Sequence, residues 1–222
     1  MRKTFNHNFV KPIDLTMLNE NGTRYYALPN GDRFKSVTTI LSQKMDKTGL
    51  LEWRKRVGEE EANRISTQAA RRGTSIHNMA ERLVLNEDNY KRNEMPINVD
   101  TFDRNLKGII EAHVDNIYGV ELPLYSRSLK AAGRTDLAAQ YDGVNSIIDF
   151  KTSRKEKKEE WIESYFLQST CYSMMFEWLY KIPVPQIVIM VSVDEGDTQV
   201  FVKERNKYVG RALEIFCGES FN

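Results

Sequence analysis

The sequence predicts a mixed α/β fold, of the α+β mixed kind, in which helices flank one central mixed sheet and a helical segment precedes it. Three observations carry that expectation. Residues 74–85 place Ile76, Met79, Ala80, Leu83 and Val84 on one stripe at helical spacing. Residues 186–193 read as a continuous strand that is apolar but for Gln186 and Ser192. Between them, Gln140-Tyr141-Asp142-Gly143 separates two strand-like runs, and Asp-Gly is a strong hairpin signal. Helices, a run of strands, a helix, a hairpin and a last helix then share one core.

Taken in order, residues 1–35 read as irregular chain with short strands, among them 23–28, punctuated by Asn21-Gly22 and Asn30-Gly31. Ser36 is an N-cap candidate for a short helix through Val37, Ile40 and Leu41. Thr48 is expected to cap a second helix, which Gly58 interrupts, and a third is expected over 59–72, ending at Gly73. Residues 86–98 are polar, contain Pro96 and read as a loop, and helical spacing returns over 101–118. Strands are expected over 120–129 and through the hairpin. A long aromatic helix over 161–180 then stops before Pro183, and a hairpin and a helix over 206–216 close the chain. The whole reads as one domain over 1–222, with a helical segment at 36–72, a core at 74–203 and a C-terminal helix at 204–222.

With 41% hydrophobic and 28% charged residues, the composition is that of an ordinary water-soluble domain with room for a substantial core. There is no run long enough to span a membrane and no apolar stretch behind the N-terminus, so no membrane partner is expected. Two cysteines, Cys171 and Cys217, provide no spaced ligand set, which points to a reducing, cytoplasmic compartment. The net charge of +1 does not mark a nucleic-acid binder, but its distribution is uneven. Residues 33–72 carry ten Lys/Arg against five Asp/Glu, which suits a phosphate-tracking surface or simply a solvated helix face.

The chemistry concentrates around the hairpin. If it folds at Asp142-Gly143, Asp136 and Asp149 come onto neighbouring strands pointing the same way, and Asp149 shares its face with Lys151. Two carboxylates and an ammonium at the exposed end of an apolar hairpin are costly without a bound divalent cation. The plainer alternative pairs Asp136 with Arg134, and Asp149 with Lys151 alone. His77 lies beside the apolar stripe of its helix, either as a packing residue or as a ligand, with Glu81 one turn on to orient it or reach a metal-bound water. Gln168 and Tyr172 share a helical face with Trp161 and Tyr165 nearby. Trp161 is expected to pack against the sheet, whereas Gln168 has no apolar reason to be there.

His77 after Arg71-Arg72-Gly73-Thr74, then Gly133-x-x-Asp136, then Asp149-Phe150-Lys151-Thr152-Ser153, then Gln168-x-x-x-Tyr172, resembles the RecB-like branch of the PD-(D/E)XK nucleases. Ser36 to Leu41, Trp53-Arg54 and Arg72-Gly73-Thr74-x-x-His77 look like the phage exonucleases related to the mitochondrial genome maintenance exonuclease. The resemblance runs from about Tyr25 to Tyr180. It implies a restriction-endonuclease-like core in which His77, Asp136, Asp149 and the Phe150 carbonyl hold Mg²⁺ or Mn²⁺. It further implies that Lys151 positions or activates the attacking water, that Gln168 and Tyr172 flank the site, and that Glu121 is an accessory acid. Relatives with an iron–sulfur cluster use four cysteines, so no cluster is expected here.

On this basis the expected activity is metal-dependent exonuclease cleavage of DNA, on single strands or frayed ends. Arg54, Lys55, Arg56, Arg71 and Arg72 are expected to contact phosphates. A structure-specific endonuclease of the same fold and a non-catalytic nucleic-acid-binding or assembly protein are the alternatives. Replication or recombination proteins are the natural partners, in the host cytoplasm if the chain is phage-encoded.

Overall fold

The computed structural model describes residues 2–218, and it has the expected architecture: a mixed eight-stranded sheet between two helical layers. The strands are β1 (Thr16–Glu20), β2 (Thr23–Ala27), β3 (Arg33–Ser36), β4 (Val114–Ser126), β5 (Ala131–Tyr141), β6 (Val144–Ser153), β7 (Gln186–Val193) and β8 (Gln199–Glu204). They pair in the order β1-β2-β3-β5-β6-β7-β8, with β4 also on β5. The β3–β5 and β6–β7 pairs are parallel and the rest antiparallel.

The two faces are covered by different helices. On one lie α3 (Glu59–Val84), α4 (Pro96–Phe102) and α5 (Gly108–His113), whose Ile76, Met79, Leu83, Phe102 and Ile110 pack with Leu137, Ile148, Phe150 and Met190. On the other lie α1 (Val37–Lys44), α6 (Glu163–Tyr180) and α7 (Asn206–Cys217), packed on Leu122, Ala138 and Ile147. Alternation along each strand sends Leu137 and Ile148 to one core and Ala138 and Ile147 to the other. No described helix is long and apolar enough to cross a membrane.

One edge of β5 is shared. β3 pairs with its start, Ala131 and Ala132, and β6 pairs with its end, from Leu137 to Tyr141. Over Gly133–Asp136 neither neighbour pairs with that edge, so the sheet forks there. The hairpin that closes the other end turns at Asp142 and Gly143, with φ of 50° and 77°, the two positive values a type I′ turn requires.

Several local expectations are corrected. Ser36 does cap α1, its hydroxyl accepting from the Thr39 N–H at 3.0 Å. Thr48 does not cap α2 (Thr48–Val57); it lies inside the helix, and the Asp46 carboxylate accepts its N–H at 2.8 Å. Gly73 does not end a helix, because α3 runs unbroken for 26 residues. A packed apolar face outweighs the roughly 1 kcal/mol that an internal glycine costs. The polar stretch ends early, with Pro96 opening α4 in its first turn. After a π-helical turn at Asp103–Lys107 the helical part stops at His113. Val114 and Ile117, which fit helical spacing, are instead buried from β4, whose register shifts at a bulge between Asp115 and Gly119. Trp161 ends a short 3₁₀ turn and is 62% exposed, so it is not a packing residue. Of the expected C-terminal helix, residues 219–222 lie outside the described part.

Gly133, in the fork, is required by packing. A Cβ there would fall 2.4 Å from the Tyr172 hydroxyl oxygen and 2.8 Å from the ring, and Tyr172 is itself buried. Gly133→Ala should therefore lower unfolding stability by about 1–3 kcal/mol, read from the urea midpoint. An unchanged midpoint would mean that Tyr172 does not press on this strand.

Candidate active site

The fork gathers acids from three neighbouring strands. In the β4–β5 register Val120 faces Leu137 and Leu122 faces Thr135, which brackets Glu121 and Asp136 as opposite one another. In the β5–β6 register the last pair is Leu137 with Ile148, so Asp136 and Asp149 occupy the next rung. Glu121, Asp136 and Asp149 thus form a row across the sheet. At the open rung the side chain stands in for the ladder, since Asp136 Oδ2 accepts the Phe150 N–H at 2.8 Å. Glu121 has a φ of 45°, the left-handed region that a bulky residue seldom occupies.

His77 comes over the row from the middle of α3, its Nδ1 lying 3.5 Å from Asp136 Oδ2 and its ring edge-on to Phe150. His77, Glu121 and Asp136 each offer one ligand atom, and those atoms lie within 4.8 Å of one another. Asp149 is placed differently from the expectation. It is 1% exposed rather than at an exposed end. Its Oδ1 accepts from Gln168 Nε2 at 2.9 Å, and its Oδ2 ion-pairs with Lys151 yet lacks a well-directed hydrogen bond. A buried carboxylate oxygen without its full complement of donors, beside a ready-made His/Glu/Asp set, fits a hard divalent cation. The donors are oxygen and imidazole, with no cysteine among them.

The electrostatics agree with the crowding. Burial and then the Asp136 carboxylate push Glu121 up to about 7, against which His77 acts only in part. Burial also raises Asp149, with Lys151 opposing and Asp136 adding to the rise. For Lys151, burial alone would depress the ammonium, but Asp149 and Asp136 outweigh it and hold the group above its ordinary value. Lys151 also sits over the Tyr165 ring, 5.2 Å from its centroid. It is therefore a fixed positive charge at neutral pH rather than a proton acceptor.

Two clefts meet at the row. One is bordered by Met17, Arg24, Tyr26, Thr38, Gln168 and Tyr172, the other by Gly73, Thr74, His77, Asn78 and Glu81, and Glu121 and Arg134 line both. Of the sequence-derived candidates, His77, Glu81, Glu121, Asp136, Asp149, Lys151, Gln168 and Tyr172 are brought to this region. Phe150 contributes its N–H, while its side chain lies in the core. The basic helical residues are more scattered. Arg54 is tied to Glu59 and Asn63, and Arg72 to Asp194 in a separate cleft that also holds Thr152. Lys55, Arg56 and Arg71 are exposed. Arg134, the plainer partner for Asp136, makes no ion pair among the described residues. Arg24, Thr38 and Tyr165 were not singled out as site residues, because no spacing links β2, α1 and the start of α6 to the fork.

No family model matches the chain. The human mitochondrial genome maintenance exonuclease 1 is 27% identical over 173 residues, covering 72% of this chain and 49% of that protein. The chain thus spans about half the length of the curated relative it matches. A crystal structure of an exonuclease candidate from Eubacterium rectale covers 68% of each chain at 13% identity, with a TM-score of 0.39. A superposition that loose carries no argument. The sequence similarity, taken with the mixed sheet, supports a nuclease fold of the kind the motifs resemble.

Glu121 yields a stability prediction for the metal-free protein. Its ordinary value is 4.5 and its folded value about 7, so the folded state holds the proton more tightly than the unfolded one. The stability this proton confers is full below about pH 4.5 and is lost progressively as pH rises from there through about 7, where the folded carboxylate ionises. Glu121→Gln should stabilise the metal-free protein at pH 8 by roughly 2 kcal/mol at this partly solvated position, and much less at pH 5. Thermal melts at the two pH values check it; a destabilised variant at pH 8 would contradict the crowding.

Proposed function

We propose that this chain is a metal-dependent nuclease that hydrolyses phosphodiester bonds of DNA, working from an end on single strands. The observation that carries the reading is the row of Glu121, Asp136 and Asp149 beside the half-buried Lys151, with His77 above it. Like charges on neighbouring rungs oppose folding, and this row includes a strained Glu121. Such a set is what cation-assisted phosphoryl chemistry needs. The relative that is an exonuclease by name supports the direction of the reading.

In this mechanism His77, Glu121 and Asp136 would hold Mg²⁺ or Mn²⁺, and Asp149, whose Oδ2 lacks a hydrogen-bond partner, would join them or orient the water. The bound cation would polarise the scissile phosphate and make water a hydroxide-like nucleophile at neutral pH. The chain's own residues do the rest. Lys151 keeps an ammonium at the site and offsets charge that grows on the phosphate oxygens. Gln168, donating to Asp149 Oδ1, leaves Oδ2 for Lys151 and the cation. Tyr172, whose hydroxyl burial and nearby acids push far above its ordinary value, stays protonated and acts as a wall and donor rather than a base. Gly133 gives that ring its place.

The strand is proposed to approach the row along the cleft of Gly73, Thr74, His77, Asn78 and Glu81, with the exposed Lys55, Arg56 and Arg71 gripping it farther out. Arg54 and Arg72 can join only by leaving their acid partners, so they are expected to matter less.

Asp136→Asn and Lys151→Ala should each lower Mn²⁺-dependent cleavage of end-labelled single-stranded DNA by about 10²–10³-fold, and chelator should abolish it in the native chain. A covalently closed single-stranded circle should remain uncut. Full activity in either variant would remove the site assignment, and cutting of the circle would replace end-directed cleavage by an endonuclease.

A further inference from the structure

Most arginines in this chain are already neutralised by the protein. Among the described residues, eleven of the sixteen ion-pair with a carboxylate, and Arg2 binds backbone carbonyls. Four have no acid: Arg24, Arg56, Arg71 and Arg134. Arg56 and Arg71 lie on the exposed helical segment. Arg24 and Arg134 instead line the same cleft, beside Glu121 and Asp136 and yet ion-paired with neither.

That cleft is shaped for a small anion rather than for a length of strand. It holds about 350 Å³, near the low end for a ligand cleft, and the β1–β2 hairpin walls it with Met17 and Tyr26. It occupies the fork of the sheet, where Gly133–Asp136 has no strand partner on one edge. Arg134 projects from that unpartnered stretch and Arg24 from β2. Thr38 borders the same space and is exposed, its hydroxyl 3.1 Å from the Ser36 hydroxyl that caps α1 and with capacity for a further hydrogen bond.

Two free guanidinium forks in one confined cleft are more than a phosphodiester needs. A phosphomonoester carries about −1.5 to −2 charges at neutral pH and three acceptor oxygens, against a single charge for a diester. Guanidinium groups bind such an anion through paired N–H donors. We propose that the cleft of Arg24, Arg134 and Thr38 receives the terminal phosphate of the substrate strand, so that the protein recognises a phosphorylated end. This rests on the nuclease reading for its substrate, since a terminal phosphate beside the carboxylate row sets how far from the end the bond at the row lies. The shared chemistry is a phosphomonoester on a nucleic-acid end, and a 5′- and a 3′-phosphate are the two sources to be separated.

The test is a binding measurement in chelator, which does not depend on cleavage. Short fluorescent single-stranded oligonucleotides bearing a 5′-phosphate, a 3′-phosphate or hydroxyls at both ends are titrated with the full chain, followed by anisotropy. One phosphorylated end should bind about tenfold tighter than the hydroxyl-ended strand, and inorganic phosphate should erase the difference. Arg24→Gln and Arg134→Gln should each bring the ratio to about one. Arg24 is exposed on a short outer hairpin, so its variant retains the fold even if the other does not, and thermal melts verify this. Equal binding of all three strands by the native chain, or a preference that survives in the Arg24 variant, would overturn the proposal. The same strands are then incubated with Mn²⁺. Cleavage with no dependence on the end overturns this inference and leaves the nuclease reading standing. End-selective binding with no cleavage supports the phosphate cleft and removes the nuclease reading.

Discussion

The fork in the sheet at Asp136 is the constraint on which the rest of this structure depends. β3 and β6 both pair with one edge of β5, but at opposite ends, and over Gly133–Asp136 the ladder is missing. Unpaired backbone inside a sheet is costly unless something replaces the lost bonds. Here a side chain does so, Asp136 accepting the Phe150 N–H in place of a strand carbonyl. The same bond fixes the carboxylate between Glu121 and Asp149. A gap in the backbone pairing and the alignment of three acids therefore have one cause.

Holding those acids together needs compensation from elsewhere in the fold. Lys151 and Gln168 hold the two oxygens of Asp149, and His77 approaches Asp136 from α3. Glu121 has the least help and shows it, with a value raised to about 7 and a left-handed backbone. The helices are arranged to deliver these groups. An unbroken α3 packs its lower half onto the sheet so that His77 stands over the row, and α6 buries Tyr172 against Gly133, where a Cβ would collide with its ring. A glycine and a tyrosine far apart in sequence thus work as one contact.

Much of this arrangement was legible in the chain before its fold was known. The Asp142-Gly143 turn set the hairpin register, and from that register the opposition of Asp136 and Asp149 followed. The four-residue spacing of His77 and Glu81 put both on one helical face beside the apolar stripe, and only the fold brings that face to the row. What was not legible came from contacts without local signatures. The fork depends on β3 returning parallel to β5 across about ninety residues, which no periodicity reports. The central place of Glu121 follows from the β4 bulge, and the same bulge disguised the end of the preceding helix, since Val114 and Ile117 suit either spacing. Gly73 looked like a stop because its cost is local, whereas the packing that overrides it is not. The basic excess over 33–72 was correctly counted, but only the fold shows that Arg54 and Arg72 spend their charge on neighbouring acids.

The central claim is that the carboxylate row exists to hold a divalent cation. Anomalous diffraction from crystals of the full chain grown with Mn²⁺ addresses it most directly. The account predicts a strong peak within coordination distance of His77, Glu121 and Asp136 together, at roughly 2.0–2.3 Å from each ligand atom. No peak at saturating Mn²⁺, or a peak elsewhere with the row left empty, would contradict it.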